Sequence, residues 1–525
     1  MPWYDTQGKI ETIVPGLQST QFPTAPLGWV VPGDPGIPST LAHTRYNNFA
    51  PRVGIAYSPG FSDGLAGKIF GGPGKTSIRA AYGIYYTSIE DLNLFYEVGD
   101  APFGLYWVSP QPTMFDEPFV TRANGTLQTP DGTTNTHRFP FTFPTPGSPA
   151  NQTLDYSTYL PLSFSPGYDI HNRLPYAEHY DLSIERELSK STVLTLAYVG
   201  TQGHRLISQY DANPGDRRLC QQLNGLGAID TSTGGDCGPF GEQDVYALPV
   251  GIPAPAKTFT TTCPSGTPAG SVCIDGTRNF LGPNFSQNNS FTVNIANSNY
   301  NSGQISIEHK ASTMTFMAAY TYSKAIDNSS GFGQWVNFEN PRLTRSLSSF
   351  DTTHNFVFSY AWLLPFDKVF ANAPKRLTQG WSFSGVTRFT GGFPIPIAES
   401  SDDFSLTGSS NTDVPDLVGK VHIMDPRKPG NLFFNPDAFA PGQLGQFGTS
   451  SRQFFHGPGI NNFDISLMKK TQISESMAFE IRAEFFNVFN HTQFTNPDGD
   501  LNGNMGKVTS ARDPRIGQLS AKFYF

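Results

Sequence analysis

What the sequence lacks sets its first bounds. It has no run of about 18 consecutive apolar residues, so no helix in it can cross a bilayer. It has no basic excess: 35 Lys and Arg stand against 43 Asp and Glu, a formal charge of −8. A nucleic-acid partner would need a basic face, and none is offered. The hydrolase signature H-E-x-x-H is absent. Gly74-Lys75-Thr76 is only the tail of a phosphate loop. Ile69 stands where the first glycine belongs, and a strand pattern follows where a helix must open. His204, His309, His354 and His456 are scattered without ligand spacing, and each reads as a polar loop or lumen residue. Asp402-Asp403 lies in a Ser/Gly-rich stretch and reads as solvated charge, not as a catalytic carboxylate pair. Neither cofactor nor metal is implied, and the chain reads as a non-enzyme.

Cysteine is scarce. The four present, Cys220, Cys237, Cys263 and Cys273, fall in one Gly/Pro/Thr-rich stretch. They lack the close pairs of a zinc site. An even number clustered in one loop fits two disulfides in an oxidising compartment, with four free loop thiols as the alternative. Spacing leaves the pairing open, with Cys220–Cys237 and Cys263–Cys273 closing the shortest loops. The start, Met1-Pro-Trp-Tyr-Asp5, lacks the charged and apolar regions of a signal peptide. The chain is therefore expected to be a fragment without its front end.

Turn formers and aromatics are abundant. There are 52 Gly and 43 Pro, and aromatics reach 13% while hydrophobic residues total only 38%. That balance suits an all-β protein with long loops and argues against helical or α/β classes. A membrane-barrel strand needs only about 9–11 residues, half of them apolar, so a polar average does not exclude one.

Alternation with a period of two marks the strands, because successive side chains point to opposite faces. It is clearest near the C-terminus. Phe463, Ile465 and Leu467 share one side, and Asp464 and Ser466 the other. Met477, Phe479, Ile481, Ala483 and Phe485 then alternate with Glu480, Arg482 and Glu484. Leu519, Ala521, Phe523 and Phe525 alternate with Gln518, Ser520, Lys522 and Tyr524. Upstream, strand patterns cover 51–57, 76–86, 180–188, 192–199, 304–310, 313–322, 355–362 and 380–390, about eleven in all. In 76–86, Ile78, Ala80, Tyr82 and Ile84 face out and Arg79 faces in. Residues 1–44 read as irregular, 45–525 as one barrel domain, and long loops lie near 87–175, 201–299, 325–350 and 393–460. Short turns alternating with long loops are the rhythm of outer-membrane barrels. Tyr85, Tyr86, Tyr320, Tyr322, Trp362 and Trp381, near strand ends, are placed as interfacial girdle residues would be.

Several motifs carry a resemblance. Asn47-Asn-Phe-Ala-Pro-Arg-Val-Gly-Ile-Ala-Tyr57 is followed by Lys75-Thr-Ser-Ile-Arg-Ala-Ala-Tyr-Gly-Ile-Tyr-Tyr86. Further on come Tyr320-Thr-Tyr-Ser-Lys-Ala-Ile-Asp-Asn328, Phe350-Asp-Thr-Thr-His-Asn-Phe-Val-Phe-Ser-Tyr360 and Arg482-Ala-Glu-Phe-Phe-Asn-Val-Phe-Asn-His491. Together these resemble TonB-dependent receptors of the Oar-like type. Each motif alone is weak, but the combination spans most of the chain. The resemblance implies an antiparallel transmembrane barrel of about 22 strands in the outer membrane of a Gram-negative-type cell. It also implies a plug domain, an N-terminal carboxypeptidase-regulatory-like domain and a TonB box, none of which this sequence shows. The chain thus corresponds to about half of such a barrel, its C-terminal portion.

Partners follow from that reading. They are outer-membrane lipid, the barrel-assembly machinery, a plug and TonB through the missing part, and an unknown substrate. Leu519, Ala521, Phe523 and Phe525 resemble the aromatic-ended signal read during assembly. Glu480, Arg482 and Glu484 are expected to form a lumen-facing charge ladder, with Ile481 on lipid. Function divides into TonB-energised uptake and, as the alternative, a structural or adhesive surface protein that binds through its long loops.

Overall fold

The computed structural model describes residues 10–40, 42–87, 102–103, 154–162, 167–287, 289–331, 334–409 and 412–525. Eleven strands form one antiparallel meander in sequence order. They are β1 Arg52–Tyr57, β2 Thr76–Tyr86, β3 Tyr176–Ser189, β4 Thr192–Asp211, β5 Ser290–Lys310 and β6 Met314–Asp327. They continue as β7 His354–Leu363, β8 Trp381–Thr390, β9 Ile460–Gln472, β10 Ala478–Phe486 and β11 Ile516–Tyr524. Each pairs with its sequence neighbours, and among the described residues β1 and β11 are the edges of a sheet that does not close. The class is the all-β, antiparallel one that the alternation implied.

Residues directly opposite across antiparallel strands share a face, so register carries the alternation from strand to strand. One row runs Tyr57, Ile78, Ile184, Leu196, Ile305, Tyr320, Phe356 and Phe389. The adjacent row on the other face runs Ala56, Arg79, Ser183, Ala197, Gln304, Thr321, Asn355 and Thr390. At the C-terminal side Phe383, Leu467, Ala483 and Leu519 line up on the first face, and Ser384, Ser466, Glu484 and Gln518 on the second. One face of the whole sheet is therefore apolar and the other polar. Glycine lets aromatic rings lie flat on the apolar face. A Cβ at Gly200, opposite Tyr180, would sit 2.1 Å from that ring.

Connections alternate in length with strand direction. Residues 58–75, 190–191, 311–313, 364–380 and 473–477 turn at one end of the sheet. Residues 87–175, 212–289, 328–353, 391–459 and 487–515 connect at the other. The described residues of the second set are folded. Helix Arg217–Gly225 and a four-stranded sheet (Thr260–Thr261, Cys273–Asp275, Val245–Ala247, Ile229–Asp230) enclose Leu219, Leu223, Tyr246, Leu248 and Ile274. A second core gathers Ile395, Phe433, Phe434, Phe439, Met505 and Val508. These connections make a cap over the long-loop end.

Four sequence expectations need correction. The loop placed at 201–299 shrinks to 212–289, because β4 and β5 run on past the apolar band. There Gln202, His204, Asn299 and Asn301 stand on the same face as Leu196 and Ile305, so the alternation fades although the ladder continues. Residues 10–40 are not merely irregular. Thr12–Ile13 pairs with Trp29–Val30, and Phe22 and Trp29 are fully buried with Tyr156, Phe285 and Phe291. Tyr85 falls on the polar face beside Arg52 and His179, whereas Tyr86, Tyr320, Tyr322, Trp362 and Trp381 share the apolar face. Residues 487–515 add a long connection that the alternation did not suggest. Most of the 87–175 connection lies outside the described residues.

Depth along β9 fixes a prediction. On the apolar face Ile465 is midway between Asn461 and Lys469, while Ile481 is directly opposite Lys469. With a bilayer around this face, Ile465→Arg should cost about 2–4 kcal/mol and Ile481→Arg about 0–1 kcal/mol. Denaturant titration of folding into lipid vesicles measures both, and equal costs would contradict the assigned depth.

Candidate functional site

Two regions carry polar chemistry, the polar face of the sheet and the cap. On the polar face the C-terminal strands bring charged groups together. Lys470, Glu480 and Lys522 stand in one row, Met468, Arg482 and Ser520 in the next, and Ser466, Glu484 and Gln518 in the third. Arg482 lies between its two neighbours, 3.0 Å from Glu480 Oε1 and 3.6 Å from Glu484 Oε1. Tyr524 Oη donates to Glu480 Oε2 at 3.1 Å, and Gln518 Nε2 donates to Glu484 Oε2 at 2.6 Å. The i, i+2 spacing puts all three charges on one face, and cross-strand donors satisfy the remaining carboxylate oxygens. Further along, Arg79 meets Glu185 at 3.0 Å and Lys310 meets Glu308 at 2.5 Å. A trough of about 580 Å³ is lined by Glu308, Lys310, Ser359, Asp464, Ser466 and Glu484, among others.

The C-terminal residues read as an assembly signal divide at the strand end. Leu519, Ala521 and Phe523 share the apolar face with Ala483, Ile481 and Phe479. Phe525 lies beyond β11, almost fully exposed, with its ring 6.4 Å from Phe523.

In the cap, Cys220 is bonded to Cys237 and Cys263 to Cys273, with Cα separations of 5.4 and 5.2 Å. The first bond ties helix Arg217–Gly225 to the segment that follows it, and the second closes the Thr260–Thr261 edge of the small sheet. Loops of these lengths typically gain about 3 kcal/mol from such a bond.

Asp402-Asp403, read as solvated, needs revision. Asp403 is wholly buried and accepts N–H groups from Phe240, Thr407 and Gly408 at 3.2, 2.9 and 3.1 Å. Those donors belong to two connections far apart in sequence. Beside it lies Glu242, also buried, whose Oε2 meets no N–H or O–H donor among the described residues. Burial first, and then hydrogen bonding to Asp403, raise the Glu242 carboxyl well above the usual carboxylate range. The buried pair therefore favours holding a proton over carrying two negative charges. Burial likewise pushes Asp413 and Glu399 up to about 7. No local pattern marks this cluster, since Glu242 and Asp403 sit in separate loops without a shared motif.

The histidines also differ from expectation. His204, His309 and His354 lie on the apolar face, not the polar one, at its margins. His354 Nδ1 is 2.8 Å from Tyr320 Oη, and His309 Nδ1 is 2.9 Å from Thr192 Oγ1. His456 reaches Asp351 at 2.7 Å, and Arg452 pairs with the buried Asp327. The first pair straps the 391–459 connection to the 328–353 connection, and the second straps it to the end of β6. Gly74-Lys75-Thr76 leads directly into β2, as its strand pattern required. Among the described residues, no group of three or more His, Cys, Asp or Glu could hold a metal ion.

The protonated cluster sets the sign of a pH dependence. Folded values above the ordinary 4.5 and 3.8 mean that the folded cap holds protons that the unfolded chain releases. The stabilisation is complete below about pH 4 and declines as pH rises through about 7, with Glu242 extending the decline higher. Amide protection in the cap, corrected for intrinsic exchange, should fall between about pH 5 and 8. Glu242→Gln should remove about one proton from that slope. An unchanged slope in the variant would contradict the assignment.

A family model for the outer membrane beta barrel domain matches residues 1–518. No curated protein sequence matches the chain. The outer membrane transporter YddB from Escherichia coli is similar at TM-score 0.40 and 10% identity, over 86% of this chain and 39% of its own. The siderophore receptor PirA from Acinetobacter baumannii is similar at TM-score 0.35 and 10% identity, over 91% and 41%. The ferric-catecholate import receptor Fiu from E. coli gives 0.33 and 10%, over 90% and 34%. The chain thus spans between 34% and 41% of the length of these structures.

Proposed function

The chain belongs to the outer membrane beta barrel domain family, and we propose that it is the C-terminal barrel portion of an Oar-like TonB-dependent receptor that takes up a substrate across the outer membrane. The observation that carries the reading is the division of the meander into one apolar and one polar face. A protein that only anchors loops needs the apolar face. A transporter also needs a wet interior, and the opposite face supplies one lined with paired charges such as Arg482 between Glu480 and Glu484. In this reading that ladder faces the lumen, Leu519, Ala521, Phe523 and Phe525 serve as the assembly signal, and the disulfide-stapled cap collects substrate outside the cell. The plug and TonB act through further parts of the protein. The motifs quoted above support the subtype. No catalytic role is assigned to any residue.

A second reading, surface adhesion, draws on the cap. Its buried cores and two disulfides make a rigid outer surface suited to binding. Uptake from a complex medium separates the two. Cells lacking this protein and cells lacking TonB should fail to deplete at least one medium component in common. Loss of surface attachment with every component still depleted would favour adhesion and overturn the transport reading.

A further inference from the structure

The β7–β8 connection, residues 364–380, folds back onto the apolar face of the sheet at its short-turn end. It contains two short helices, Phe366–Val369 and Lys375–Thr378. Trp381, the first residue of β8, donates its indole N–H to the Leu377 carbonyl at 2.7 Å, and Phe366 packs edge-on against the same ring at 6.0 Å. Lys469 stands opposite Trp381 on the apolar face. It donates to the carbonyls of Arg376, at 2.9 Å, and Gln379, and lies 5.9 Å from the Trp381 ring. Gly380 permits the return. It sits at φ 77, where a Cβ would fall 2.0 Å from the Lys470 carbonyl oxygen. These contacts hold the connection on the side that bears Phe383, Ile465 and Leu467.

Held there, the connection turns large apolar side chains outward. Val369 is 67% exposed, Phe370 58% and Leu377 67%. Its charge is basic, with Lys368, Lys375 and Arg376 against the one acid, Asp367. Apolar tips, basic flanks and a tryptophan at the root suit a membrane interface, where rings sit at headgroup level and basic side chains reach phosphate. The surface adjoins Trp381, the residue at the short-turn end of the apolar face of β8. The β1–β2 connection repeats the arrangement. Helix Gly64–Phe70 exposes Leu65 and Ile69 beside Lys68, and Gly71 lies against the Arg186 guanidinium on the same face.

We propose that residues 364–380 form a lipid-binding foot that seats Val369, Phe370 and Leu377 among the acyl chains of the periplasmic leaflet and binds anionic phospholipid headgroups through Lys368, Lys375 and Arg376. The proposal rests on the apolar face meeting lipid, and its test separates the two. A photoreactive benzoyl-phenylalanine replaces Phe370, Phe383 in the middle of the apolar face, or Phe240 in the cap, in the protein in its outer membrane. Irradiation should give phospholipid adducts at 370 and 383 and none at 240. Adducts at 383 without any at 370 overturn the foot and leave the barrel standing, as does a protein adduct at 370. Absence at both overturns both.

The charge requirement is read with the same probe. In mixed phosphatidylcholine–phosphatidylglycerol vesicles, the 370 probe should favour phosphatidylglycerol. Lys375→Gln with Arg376→Gln should lower that preference by about fivefold per cation removed. An unchanged ratio would overturn the headgroup assignment.

Discussion

Hydrocarbon leaves no water to satisfy backbone N–H and C=O groups, and the rest of the structure depends on that constraint. The meander answers it from β2 to β10, where both edges of each strand are hydrogen-bonded to a neighbour. Side chains then need to meet only one condition on each face. The apolar row from Tyr57 to Phe389 and the polar row from Ala56 to Thr390 are adjacent residues on the same strands, held apart by the pleat. Among the described residues, edges β1 and β11 remain open. Both strands run from the long-loop end to the short-turn end, because eleven is odd. Joining them to each other would make a parallel pair. Antiparallel closure therefore takes an odd number of further strands.

The two ends of the sheet are built on different principles. At the long-loop end β4 and β5 outrun the apolar band and carry a cap with its own hydrophobic cores. The cap is joined to itself and to the rim by buried polar groups, namely Glu242 with Asp403, Arg452 with Asp327 and His456 with Asp351. Such pairs are costly unless each partner is present, so they fix one arrangement of loops that would otherwise be free. Among the described residues, the short-turn end has no comparable core. Lys469 and Trp381 instead bind the 364–380 turn to the outside of the sheet.

Most of the sheet was legible in the sequence because a half-buried strand repeats every two residues. All eleven strands show that repeat, and the outward set Ile78, Ala80, Tyr82 and Ile84 shares one face, with Arg79 on the other. The cysteine pairs were legible as the shortest closures, though not as a unique choice. What stayed hidden has a common cause. The extensions of β4 and β5 put Gln202, His204, Asn299 and Asn301 on the face that carries Leu196 and Ile305, so the alternation breaks there. Tyr85, His204, His309 and His354 take faces that their side-chain types do not suggest, because register alone sets the face of a strand residue. The Glu242–Asp403 contact and the core of Phe22, Trp29 and Phe285 join segments distant in the chain, where no local pattern exists to read.

The central claim is that one face of this sheet meets lipid and the other does not. Strand β9 tests it most directly, since Phe463, Ile465 and Leu467 alternate there with Asp464, Ser466 and Met468. Fluorescent probes placed singly at positions 463 to 468 in reconstituted membranes would be challenged with a lipid-dissolved quencher. The account predicts quenching at 463, 465 and 467, deepest at 465, and none at 464, 466 and 468. Quenching without alternation, or at none of the six positions, would contradict it.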